Sequence, residues 1–145
     1  KYSAASKKQY MNKITVSLGL CLAAYLIANL IGFATYYVDV SLMWIAMFTV
    51  NPVVFGFFFY ARLKKSGCTA KEARHTTNKT ALRWIGFSFL LDTLVYILLV
   101  PAFLHQPPHL TFFIDQSPWI WMNYLTMFAL GHISRLLYVK NYRYI

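Results

Sequence analysis

Acidic side chains are almost missing from this sequence, which has only Asp39, Glu72, Asp92 and Asp115 in 145 residues. Hydrolysis by a pair of carboxylates is therefore poorly provided for, and no G-x-S-x-G, H-E-x-x-H or phosphate-cradling glycine loop takes its place. An enzyme is not expected. Cysteine is as scarce: Cys21 lies inside an apolar run and Cys68 in a basic stretch, without C-x-x-C or zinc-ligand spacing. That pattern implies neither a disulfide framework nor a metal site, and no cofactor is expected. His105 and His109 flank Pro107 and Pro108, which forbid a regular helix stacking both imidazoles on one face. Internal repeats and low-complexity segments are missing too.

What fills the chain is apolar: 59% hydrophobic and 19% aromatic residues against 12% charged, where soluble domains carry about 25% charged. A chain this short has too high a surface-to-volume ratio to hide that much apolar surface in a core, so lipid is the expected solvent. Crossing a hydrocarbon core about 30 Å thick takes about 20 residues of helix. Four runs qualify: 14–38, 41–61, 84–104 and 118–138. Backbone polar groups in lipid must be satisfied internally, so each run is expected to be a helix, the first one retained and not cleaved. The fold class read from this pattern is an all-α integral membrane protein, a single domain of four transmembrane helices. The short connections at Asp39–Val40 and His105–Ser117 fold them as two antiparallel hairpins.

Charge placement orients the bundle. Lys1, Lys7, Lys8 and Lys13 precede the first span, and Arg135, Lys140 and Arg143 close the fourth. The loop 62–83 holds Arg62, Lys64, Lys65, Lys71, Arg74, Lys79 and Arg83. All fourteen Lys and Arg thus share one side, while the other side carries only Asp39 and Asp115. The positive-inside rule then places both termini in the cytoplasm, and a bacterial inner membrane is the expected location. The net charge of +10 is read as topological and as attraction to anionic headgroups, not as a nucleic-acid footprint. Aromatic belts agree: Tyr36, Tyr37, Trp44, Trp119, Trp121 and Tyr124 fall near the outer interface, and Tyr60, Trp84, Tyr138, Tyr142 and Tyr144 near the inner one. Within the loop, Gly67 can end a turn and Thr69 with Glu72 has capping-box spacing, so a short basic cytoplasmic helix is expected from Ala70. Its Lys71, Arg74, Lys79 and Arg83 would rest on headgroups. The sequon Asn78-Lys79-Thr80 falls on the cytoplasmic side and is read as chance.

Asp92 is the strongest single signal, because a carboxylate deep in a membrane helix costs at least ~2.5 kcal/mol and needs a partner or a purpose. Helix geometry puts it roughly 12 Å, and His132 roughly 8 to 9 Å, above their inner ends. A hydrogen bond between them would make a proton relay, a salt bridge to Arg135 would make Asp92 a structural tether, and a third reading leaves it a protonated carboxylic acid in a polar seam. Asn51 and Pro52 are expected to break the second span and free backbone carbonyls, to which Asn29 and Thr49 could add side-chain ligands. Pro101 reads as a kink or terminus. Ala24, Ala28 and Gly32 form a small-residue ridge for close helix packing, either within the chain or in a homo-oligomer.

Two functions remain open. One is a small-solute or ion transporter or channel, proton-coupled through Asp92 and His132 and acting as a homo-oligomer. The other is a non-catalytic accessory subunit that meets a larger membrane partner through the ridge and the basic loop.

Overall fold

The computed structural model describes the backbone of residues 4–142 and the side chains of 13–141. Lys1, Lys7, Lys8, Tyr142, Arg143 and Tyr144, used above for orientation and belts, lie outside the described side chains. The elements are α1 (Ala4–Tyr36), α2 (Val40–Ser66), α3 (Ala70–Phe103), α4 (Phe112–Asp115) and α5 (Trp119–Tyr142), with no strand among the described residues. Lys13–Tyr36, Val40–Ser66 and Ala70–Phe103 are long and apolar enough to cross a membrane. In their apolar windows only 28%, 22% and 22% of residues are buried inside the protein. Side chains such as Leu30, Val53, Phe57 and Leu90 therefore face outward, which only a lipid surround makes favourable. At 24 residues α5 has the length, but Asn123, His132, Arg135 and Lys140 dilute its apolar content and it is not one of the three.

Local chemistry sets the ends. Asp39 caps α2, its Oδ1 accepting from the N–H groups of Ser41 at 2.7 Å and Leu42 at 3.1 Å. Gly67 closes α2 with φ 61°, a left-handed conformation that glycine adopts without a Cβ penalty. Thr69 and Glu72 form the expected capping box, the Thr69 N–H donating to Glu72 at 3.0 Å. The helix that starts at Ala70 is not a separate short element: it runs on through Asp92 to Phe103 as one rod.

Two prolines behave differently from expectation. Pro52 does not break α2, which is helical throughout Val40–Ser66. The helix runs on through Pro52 with α1 and α5 packed alongside, and the Phe48 carbonyl is left without its usual N–H four residues on. Pro101, by contrast, lies at the end of a π-helical stretch, Thr93–Leu99, that begins one residue after Asp92. The Ile97 carbonyl, four residues before Pro101, instead accepts from the N–H of His109 at 3.1 Å. The proline therefore fastens the connection that follows α3 to that helix.

The four long helices close a ring in which α1 packs on α2, α2 on α5, α5 on α3 and α3 on α1. Ala24 and Ala28 are buried, and a Cβ on Gly32 would sit 3.1 Å from the Met47 sulfur of α2, so the small-residue ridge is occupied inside the bundle. Gly131 plays the same part between α5 and α2: a Cβ there would meet the Phe59 ring at 3.0 Å. Trp84, placed above in the inner belt, is the largest fully buried side chain among the described residues, packed edge-on against Phe59 with centroids 5.0 Å apart, so it meets protein and not headgroups.

Candidate functional site

The contact between α1 and α3 is a polar ladder. Trp84 Nε1 donates to Ser17 Oγ at 3.1 Å, Cys21 Sγ lies 3.9 Å from Ser88 Oγ, Tyr25 donates to Asp92 Oδ1 at 2.7 Å, and Tyr96 donates to Asn29 Oδ1. Each rung advances four residues on both helices, because parallel α-helices bring the same face into register every turn. Near the Asn29–Tyr96 end of this ladder the bundle opens into a cavity of about 860 Å³. Tyr25, Asn29, Asn51, Asp92, Tyr96, Asn123 and Tyr124 line it, and it reaches the connection after α3 at Gln106 and His109.

Asp92 is the charge on its wall. The side chain is 8% exposed, and its second oxygen accepts from the Tyr124 hydroxyl of α5. Among the described residues no cation pairs with it. The expected partners are elsewhere: His132 packs edge-on against Phe128 with centroids 4.9 Å apart, and Arg135 is half-buried with its Nε unpartnered. Neither lines the cavity. The physical reason is position along the axis. Asp92 is level with Tyr124, and His132 and Arg135 lie 8 and 11 positions beyond Tyr124 on α5, two to three helical turns away, so similar depth counted from a guessed helix end is not contact. Tyr124, assigned above to the outer belt, is buried at 6% exposure and supplies the contact instead.

Asn51 does reach the cavity, at 2% exposure. Its Nδ2 donates to Asn123 Oδ1 at 3.3 Å and lies 3.5 Å from the Met47 sulfur, while its Oδ1 has no partner. Thr49 is exposed and bonds back to the Ile45 carbonyl at 2.8 Å, so it contributes nothing to the site. Pro52 supplies no opened backbone. Of the basic residues, Lys71, Arg74 and Lys79 are exposed on the first turns of α3 and Arg83 is half-buried. Arg62, counted with that solvated loop, is in fact 7% exposed with an unpartnered Nε.

The connection between α3 and α5, which carries α4, covers one side of the cavity. The Phe112 ring of α4 stacks on Tyr96 with centroids 5.0 Å apart, and Phe113 stacks on Phe89 at 4.7 Å. Asp115 accepts from Thr111 Oγ1 at 2.7 Å and pairs with His109 Nε2 at 2.8 Å. The Thr111 hydroxyl, then His109, hold the Asp115 carboxyl below its ordinary 3.8. A depressed folded value means that this contribution is complete above the unfolded value and is lost as pH falls through the lower folded one. Hydrogen exchange at residues 109–116, corrected for its intrinsic pH dependence, should stay slow from pH 7 down to about 4 and accelerate below that. Asp115→Asn should show the accelerated exchange already at pH 7.

No protein-family model matches the chain, and no curated protein or solved structure matches it either.

Proposed function

We propose that the chain is a four-span membrane transporter for a small solute, with Asp92 exchanging a proton or binding a cation at the wall of the cavity. The observation that carries this reading is a buried carboxylate held only by two neutral phenols, on the wall of a cavity large enough for a small organic molecule. A structural ion pair would instead have given Asp92 a guanidinium or imidazole. The fourth span is α5, whose 24 residues touch α2 from Asn123–Asn51 to Asn141–Tyr60 and so share its depth. Both termini lie in the cytoplasm of the cell, with the cavity opening to the opposite side, because the exposed Lys64, Lys65, Lys71, Arg74 and Lys79 gather at one end. A bacterial inner membrane and a homo-oligomer belong to the same reading. The accessory-subunit alternative is left with the basic face of α3 alone, since Ala24, Ala28 and Gly32 are filled from within the bundle.

Pyranine-loaded proteoliposomes test the proposal. A small amine, its neutral alcohol isostere and its carboxylate isostere are added in turn, and internal pH is followed. At least one class should drive a proton movement absent from protein-free vesicles. Identical traces with and without protein for all three would end the transport reading.

A further inference from the structure

We infer that the solute taken by this cavity is an organic ammonium ion, a protonated primary or secondary amine carrying apolar carbon, with Asp92 as its counter-ion; this rests on the cavity being a solute site. Three features of the lining converge on it. The first is charge: Asp92 lines the cavity and, among the described residues, no Lys or Arg does, while the imidazole at the outer end, His109, is paired with Asp115. An anion would meet an unscreened carboxylate with nothing to offset it. The second is hydrogen-bonding sense. A carboxylate has about four acceptor sites, and Tyr25 and Tyr124 donate to one on each oxygen. Asn51 adds an Oδ1 that is buried and without a partner. The unmet capacity on this wall is thus acceptor capacity, which an N–H-bearing cation fills and a neutral ether or hydrocarbon leaves open.

The third feature is the rings. Tyr25, Phe55, Tyr96, Phe112 and Tyr124 line the same space as Asp92. Aromatic faces carry negative electrostatic potential and attract ammonium groups most strongly where water is excluded, and they pack equally well against the carbon portion of an amine. Two acceptors and a ring of aromatics form a site selective by charge first and by shape second. The same ammonium chemistry occurs in a water-soluble amine and in the ethanolamine headgroup of a lipid, so the test must separate those sources.

Titration calorimetry in a maltoside micelle free of phospholipid provides it, with 2-phenylethylammonium chloride, 2-phenylethanol and 3-phenylpropionate as probes. The ammonium should bind saturably, at least about tenfold more tightly than the alcohol, with no measurable binding of the carboxylate. Asp92→Asn should reduce ammonium affinity at least about tenfold and leave the weak alcohol binding unchanged. Because the probe comparison is made within the wild type, a variant that fails to fold does not remove the test. If only added phosphatidylethanolamine binds, the ammonium class stands and its source is the lipid. Equal binding of ammonium and alcohol overturns the inference. The transport reading is judged separately by the vesicle traces: ammonium binding without proton movement would leave a binding protein, and proton movement driven by another class would leave a transporter of a different solute.

Discussion

Replacing Asp92 with asparagine should abolish solute-driven proton movement, by at least about tenfold, while the protein remains folded. The side chains are nearly isosteric. Asparagine Oδ1 can still accept from Tyr25, and the Tyr124 hydroxyl can rotate to accept from Nδ2, so no buried polar atom need lose its partner. What disappears is a group that can hold a negative charge and take up a proton. Melting behaviour within a few degrees of wild type, together with loss of the pyranine signal, is the expected pair of results. Full activity in Asp92→Asn would reduce the carboxylate to a hydrogen-bonding strut between α1, α3 and α5. Arg135→Gln and His132→Gln should both keep the signal, because neither side chain lines the cavity.

The largest loss of stability is expected at Trp84. Its indole is 1% exposed, donates to Ser17, and packs edge-on against Phe59 and Phe55, with the Phe55 centroid at 6.4 Å. Truncation to alanine empties the point where α1, α2 and α3 meet and should cost about 3 to 5 kcal/mol. Trp84→Phe keeps most of the packing and forfeits chiefly the hydrogen bond to Ser17, about 1 kcal/mol. Thermal melts in detergent should therefore rank wild type, Trp84→Phe and Trp84→Ala in descending order. A Trp84→Ala variant melting with the wild type would mean that this tryptophan faces the headgroups, as its place in the inner aromatic belt suggested from the sequence.

That tryptophan shows where sequence reading reached its limit. The second span was read as ending at Ala61, and α2 runs on to Ser66 before Gly67 closes it; the Thr69 and Glu72 cap before α3 was legible, because it depends on neighbours in the chain. Apolar runs long enough to span a bilayer were legible for the same reason. Asp92 stood out because charge in such a run is unusual. Its partners did not, since depth was counted from guessed helix ends, and the helix that holds Asp92 begins at Ala70 and not at Trp84. Tyrosines near helix ends were assigned to interfacial belts, which hid Tyr124 from view. A four-residue stripe was nevertheless present in each helix: Ser17, Cys21, Tyr25 and Asn29 on α1, and Trp84, Ser88, Asp92 and Tyr96 on α3. Pairing those stripes, instead of ranking single residues, would have found Tyr25 and Asn29 beside Asp92 and Tyr96. The role of Pro101 was out of reach, because the carbonyl it frees is satisfied by a residue in an irregular connection.

The most direct measurement is chemical labelling of Asp92 with dicyclohexylcarbodiimide, an apolar reagent that reacts with protonated carboxyl groups, followed by mass-spectrometric mapping of all four acidic residues. If Asp92 faces a cavity and exchanges protons with it, Asp92 should be the carboxyl modified most rapidly at neutral pH. 2-Phenylethylammonium should slow that labelling in proportion to its occupancy. Absence of modification at Asp92, with Asp39, Glu72 or Asp115 reacting instead, would show a carboxylate that holds no exchangeable proton at neutral pH, and would contradict proton exchange at the cavity as its role.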